Sequence, residues 1–137
     1  MTTTAADTAA TASIQAAARE LKLPVVRTDA ARVATDAERS KLSYLGFLAE
    51  ILEAEVDART ERRRARRVHD AKFPRIKRLA EFDLDAAPTV EPAVIATLAA
   101  GGYIRSGDPV VLLGDSGTGK SHLLIGLGLA ACEAGLR

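Results

Sequence analysis

Apolar positions recur at helical spacing over most of the chain. Ile14, Ala17, Ala18 and Leu21 share one face of a short helix that stops ahead of Pro24, because the residue before a proline avoids the right-handed helical region. Thr28 is placed to cap a second short helix through Val33 to about Arg39. The strongest pattern follows Ser43. Leu45, Leu48, Leu52 and Val56 repeat every three or four residues with Ile51 beside them, lining one face of a long helix. Ser43 suits its N-cap, although the fourth position of a capping box holds Gly46 instead of Glu. Continued at 100° per residue, the stripe becomes Arg59, Arg63, Arg66 and Arg67, so one face turns from apolar to cationic midway. From Ser43 to about Lys72 the rod measures roughly 45 Å at 1.5 Å per residue. It is expected to outrun the core it packs on, and Phe73-Pro74 ends it.

Arg75 to Thr89 reads as an irregular connector. A short helix is expected from Glu91-Pro92 to Ala100, with Thr89 as N-cap, Pro92 in the first turn and Gly101-Gly102 closing it. Tyr103 and Ile104 then lead through Gly107-Asp108 into Pro109-Val110-Val111-Leu112-Leu113, a short strand rich in β-branched residues. Gly114-Asp115-Ser116-Gly117-Thr118-Gly119-Lys120-Ser121 follows, and after it an apolar helical run from His122. The pattern predicts a mostly α chain. A disordered tail (1–13) precedes a helical N-terminal domain with a basic helix (14–74). An incomplete P-loop NTPase domain (75–137) follows, truncated after its first strand, loop and helix.

Composition adds three constraints. At 137 residues, 47% hydrophobic and 27% charged, the chain can build one modest domain, or a small domain with an extension. The formal charge of +1 hides an asymmetry. From Arg59 to Arg78 ten basic residues face two acidic ones, a local +8, which leaves −7 for the rest and points to an acidic partner for this segment. A single cysteine, Cys132, forms no internal disulfide and reads as a buried thiol. The first residues lack a basic and apolar leader, and Leu123 to Cys132 is too short to span a bilayer, so a soluble, cytoplasmic protein without membrane partners is expected. His69 and His122 are isolated, and no metal-ligand cluster or internal repeat is visible.

The glycine-rich stretch carries the chemistry. Its form is G-x-x-x-x-G-K-[ST], and it stands between strand and helix, as a phosphate-binding loop requires. Glycines let successive backbone N–H groups turn inward on an anion, and the helix start adds unpaired donors and the positive end of its dipole. The cofactor-binding residues are therefore Gly114, Asp115, Ser116, Gly117, Thr118, Gly119, Lys120, Ser121 and His122. Lys120 would meet the β- and γ-phosphates of ATP, and the Ser121 hydroxyl would join the shell of Mg²⁺. The competing reading is a tight turn between a buried strand and a helix. No apolar run ending in Asp or Asp-Glu follows, nor a later arginine finger, so no catalytic residue is assigned and the chain reads as the front half of an NTPase. The strand at Val110 to Leu113 and the helix face through Leu123, Leu124 and Leu127 are expected to lack their natural cover. Gly126, inside that helix, costs roughly 1 kcal/mol relative to alanine.

In order along the chain, Leu21-Lys22-Leu23-Pro24, Leu42 to Leu48, the arginine run Arg62 to Arg67, Phe73-Pro74-Arg75-Ile76-Lys77, Glu81-Phe82-Asp83-Leu84 and the loop through Leu123 resemble the IstB-like transposition helper ATPases. These are AAA+ proteins similar to the DnaC helicase loaders. The resemblance implies a helical domain before an AAA+ domain that assembles on DNA and directs a transposase. It makes Phe82 and Asp83 candidates for the adenine side of the site; for Phe82 an ordinary core anchor is the alternative. ATP, Mg²⁺, DNA, a transposase and further copies of the chain are the implied partners. Arg59, Arg62, Arg63, Arg66 and Arg67 are the candidate DNA contacts, with a solvated face or an acidic surface of a missing domain as the alternatives. The Walker B, sensor and arginine-finger positions of the family have no counterpart, so ATP hydrolysis by this chain alone is not expected. Two other functions compete with a truncated helper: an interaction module with a relic P-loop, and a fragment of a helicase loader.

Overall fold

Alanine is the strongest helix former, and half of the first helix, α1 (Ala5–Glu20), is alanine. The computed structural model describes residues 5–136. The expected disordered tail (1–13) therefore falls partly on residues 1–4, outside the described residues. From Ala5 the chain is helical, nine residues earlier than the apolar spacing places it, because alanine propagates a helix without an apolar face to bury. The chain divides into two compact units, Met1–Arg62 and Arg63–Arg137.

In the first unit, α1 lies against α2 (Pro24–Arg39). Ala18, Ala30, Val33 and Ala37 are buried there, small enough to let the two helices approach closely. Both helices end in a left-handed lysine. Lys22 (φ 56°) and Lys41 (φ 53°) sit where glycine is the usual residue. The following leucine closes each end, Leu23 N–H donating to Ala18 O at 2.8 Å and Leu42 N–H to Ala37 O at 2.9 Å.

Thr28 does not cap α2. The helix starts at Pro24, whose fixed φ suits the first helical position, and Thr28 Oγ1 donates back to Pro24 O at 3.1 Å inside it. The cap comes from a distant residue. Glu55, on α3 (Tyr44–Asp70), is 3% exposed, and its Oε2 accepts from Val25 N–H at 2.7 Å and Val26 N–H at 3.3 Å. Its Oε1 accepts from Arg62 Nη2 at 3.0 Å, and Arg59 Nη2 donates to Lys22 O at 3.1 Å. One stretch of α3 thereby pairs the end of α1 and the start of α2 with opposite charges.

That anchoring decides which face of α3 is buried. Ile51 and Glu55 point inward, whereas Leu45, Leu48, Leu52 and Val56 are exposed. The apolar stripe is real, but it is not the packing face. A buried carboxylate must sit where donors meet it, and fixing Glu55 at the start of α2 turns the adjacent row of leucines outward. Ser43 caps α3 as expected, its Oγ accepting from Gly46 N–H at 3.0 Å.

The second unit contains the last turns of α3, a 3₁₀ turn (Leu79–Glu81), α4 (Pro92–Ala99), α5 (Gly102–Ser106) and α6 (Lys120–Glu133). The 3₁₀ turn interrupts the connector expected to be irregular. Glu91, not Thr89, occupies the N-cap of α4, and Tyr103 and Ile104 belong to α5 instead of leading straight into an extended segment. Ala87, Leu123, Leu127 and Leu129 form the buried core. Cover for Leu123 and Leu127, expected to be missing, is present, since α6 is packed by the 3₁₀ turn and α4; Leu124 stays exposed.

Residues 109–113 form no strand among the described residues. Their backbone groups make no hydrogen bond there, yet the side chains alternate. Val110 and Leu112 are half-buried while Val111 and Leu113 are exposed. Alternation is a property of the extended backbone itself, but a strand exists only by its ladder, and no ladder forms among the described residues.

Candidate functional site

The loop from Gly114 to Ser121 turns on glycines that adopt conformations other residues avoid. Gly117 (φ 81°) and Gly119 (φ 88°) are left-handed, and Gly119 is the N-cap of α6. No side chain caps this helix. Leu123 N–H makes the first helical bond, to Gly119 O at 3.0 Å, so the amides of Lys120, Ser121 and His122 have no acceptor among the described residues. Uncapped donors on a 14-residue helix form an electropositive end.

Lys120 is folded over this loop. Its Nζ donates to Gly114 O at 2.7 Å, to Asp115 O, and to Thr118 Oγ1 at 3.3 Å, while Thr118 Oγ1 donates to Asp115 O at 2.8 Å. The half-buried ammonium is held by neutral oxygens, which an anionic oxygen outcompetes through a shorter, charge-assisted bond. Asp115, Ser116 and Ser121 are exposed.

His122 takes a different part from the one its place in the loop suggests. Its Nε2 lies 2.8 Å from Arg78 O; a carbonyl can only accept, so Nε2 carries the proton. The imidazole meets the edge of Phe82 with centroids 5.4 Å apart at 89°. The His122 side chain is thus directed to the connector, leaving its backbone amide for the loop. Phe82 packs on Gly119 as well: a Cβ built there would lie 2.7 Å from Phe82 Cε2. The two adenine candidates therefore part company. Phe82 lies against the start of α6, whereas Asp83 Oδ1 accepts from Asp85 N–H at 3.1 Å and Ala86 N–H at 3.2 Å, in a turn of its own.

Gly126 has a packing reason that spacing could not reveal. A Cβ on it would lie 2.6 Å from Leu79 Cδ2 and 3.2 Å from the Leu79 backbone nitrogen. Gly128 makes the same kind of notch for the Phe73 ring, at 2.9 Å from Cε1. These glycines seat the connector on α6. Gly126→Ala should recover roughly 1 kcal/mol of helix propensity but suffer overpacking of about 1–3 kcal/mol. The expected result is a lower thermal midpoint, followed by circular dichroism; an alanine variant that melts higher than the parent would show that Leu79 can yield.

The arginine run is divided among separate tasks. Arg59 and Arg62 serve the junction of α1 and α2 described above. Arg67 Nε donates to Cys132 O at 2.8 Å, at the carbonyl end of α6, where a cation offsets the dipole. Arg66 pairs with Asp70 at 3.5 Å, and Arg63 is exposed. Arg78, at the connector, pairs with Glu133 at 2.9 Å. Glu55 and Leu79 are not singled out by the sequence, which reads Arg67 only as a DNA contact. Only Glu55 carried a signal, as an acid in line with Ile51 one turn ahead of Arg59.

Among the described residues no group of acidic, histidine and cysteine side chains is arranged to hold a metal, and no helix is long and apolar enough to cross a membrane.

Comparison with known proteins matches residues 16–137 to the family described as IstB-like ATP binding protein. Three relatives are each described as an insertion sequence ATP-binding protein. That of Sinorhizobium fredii is 37% identical over 119 residues, 86% of this chain and 40% of the relative. The IS21 protein of Pseudomonas aeruginosa is 36% identical over 101 residues, 74% of this chain and 38% of the relative. The IS5376 protein of Geobacillus stearothermophilus is 32% identical over 117 residues, 85% of this chain and 47% of the relative. The chain spans less than half the length of each.

Proposed function

This chain belongs to the IstB-like ATP binding protein family, and from that membership we propose that it binds ATP with Mg²⁺ through Gly114–Ser121 as a helper in DNA transposition. The observation that carries the reading is the uncapped start of α6 with the Lys120 ammonium held over the same loop. Backbone amides from Gly117 to His122 would cradle the phosphates, Lys120 would meet the β- and γ-oxygens, and the Ser121 hydroxyl would be a ligand of the Mg²⁺. ATP bound there supplies the anionic triphosphate and its anhydride bonds. Phe82 would border the adenine side, since it already packs on Gly119. The exposed alternation at residues 109–113 supports reading that stretch as the first strand of an AAA+ sheet, inside a domain spanning 75–137 after a helical domain of 14–74. Calorimetric titration with ATP and MgCl₂ tests the binding. Heat of binding from folded protein supports it, and a silent titration returns the loop to a relic within an interaction module.

The proposal extends to DNA through the charge run, and to a transposase through the insertion-sequence setting of the relatives' names. Action in the cytoplasm belongs to the same proposal. Because Arg59, Arg62 and Arg67 hold structure together, Arg63 and Arg66 are the arginines to test. Alanine at both should weaken binding to random-sequence duplex and flatten the slope of log K against log salt by about 1.8 for two phosphate contacts. An unchanged slope would remove these two side chains from any DNA contact.

A further inference from the structure

The connector reaches the start of α6 through two contacts, and His122 takes part in both. Its Nε2 donates to Arg78 O at 2.8 Å, the same carbonyl that accepts from Glu81 N–H at 3.1 Å to open the 3₁₀ turn. That turn delivers Phe82, whose N–H donates to Leu79 O at 3.1 Å and whose ring stands edge-on to the imidazole. The same ring presses on Gly119, where a Cβ would lie. We propose that His122 is a positioning residue for the phosphate loop: its imidazole holds Phe82 against Gly119, so that the amides after Gly119 keep the aim a phosphate needs. The proposal rests on the nucleotide reading of Gly114–Ser121.

Gly119 is where the loop needs outside support. Its φ of 88° sets the direction of the amides that follow, yet glycine is free to adopt many other conformations. A ring packed on it removes part of that freedom before any ligand arrives, and ordering already done is affinity gained. Phe82 is only half-buried, so the ring needs a hold of its own. His122 supplies it twice, fastening the carbonyl that begins the turn and meeting the ring edge. The contacts run from His122 to Arg78, Phe82 and Gly119 and close within the first turn of α6. Farther along the helix the connector is seated by Leu79 at Gly126 and by Arg78 at Glu133, which fixes the strap on which Phe82 stands. The imidazole itself is turned to the connector, so its effect on the loop passes through Phe82. Its backbone amide survives any substitution.

Calorimetric titrations with ATP and with inorganic tripolyphosphate, each with MgCl₂, separate the loop from the base. His122→Ala should weaken both by about tenfold, the scale of one hydrogen bond. His122→Gln, with a side-chain N–H long enough to reach Arg78 O, should recover most of that loss. His122→Asn, one methylene shorter, should not, and it replaces the alanine chain if circular dichroism shows the latter unfolded. In a Phe82→Leu background His122→Ala should add little, because the two side chains act as a unit. A parent chain that binds neither ligand overturns the nucleotide reading and this proposal together. A parent that binds both, with His122→Ala binding equally, overturns this proposal alone. So do a parent that binds ATP but not tripolyphosphate, a loss confined to ATP, a glutamine chain as weak as the alanine one, or a full tenfold loss in the Phe82→Leu background.

Discussion

Lys120→Ala is expected to weaken ATP·Mg²⁺ binding by about a hundredfold, close to 2.8 kcal/mol. The ammonium is the only side-chain cation held over the loop by the hydrogen bonds described here, and Gly114 O and Thr118 Oγ1 that hold it are neutral. Exchanging those oxygens for phosphate oxygens converts ordinary hydrogen bonds into charge-assisted ones, and alanine forfeits the whole difference. Stability should change little. The lysine makes its bonds at a partly solvated site, and its removal leaves carbonyls that water can reach. Calorimetry of both chains, with circular dichroism to show equal folding, separates binding from structure. If the parent binds ATP and the alanine chain binds it equally, the amides alone account for the site and Lys120 has no part in it. If neither binds, the loop is a turn with a nucleotide-binding sequence.

The largest loss of stability is expected from Glu55→Ala. Leaving a buried donor without its acceptor costs about 1–3 kcal/mol, and Glu55→Ala orphans two, Val25 N–H and Val26 N–H at the start of α2, so about 3 kcal/mol in all. It also deprives Arg62 of its carboxylate partner. For a unit of this size the midpoint should fall by roughly 4–8 °C per kcal/mol, so about 12–24 °C in all. Glu55→Gln keeps an oxygen for the amides but loses the charge facing Arg62, and should cost about half as much. Arg62→Ala should cost less again, about 1 kcal/mol, because its side chain is 53% exposed and solvent screens it. Thermal melts of the three variants give the ranking. Equal and small losses in all three would mean that water replaces the carboxylate at the helix start and that the clamp contributes little.

Helices were legible because their signals are local. Proline at 24 and 92, the Ser43 cap and the spacing of Leu45 to Val56 all act within a turn or two, and α2, α3 and α4 lie close to where these residues place them. The loop was legible for the same reason, its pattern lying within eight consecutive positions. Three features of the site were not. That Phe82 would sit on Gly119, that His122 would turn to Arg78, and that Gly126 would admit Leu79 are all contacts between residues roughly forty positions apart. Periodicity carries no information about such pairs. The arginine run shows the limit most clearly, since Arg59, Arg62, Arg66 and Arg67 read alike and yet hold a helix junction, an aspartate and an α6 carbonyl.

By itself, then, the order of residues determined where α2, α3 and α4 run and stop, and that a glycine-rich turn with a lysine opens α6, because backbone propensity and capping depend on near neighbours. The tertiary structure alone decided which side of α3 faces inward, which arginines are already engaged, and why α6 carries glycines. Those outcomes turn on a buried carboxylate finding distant amide donors and on side chains filling notches across the chain, and a partner far along the chain leaves no periodic trace.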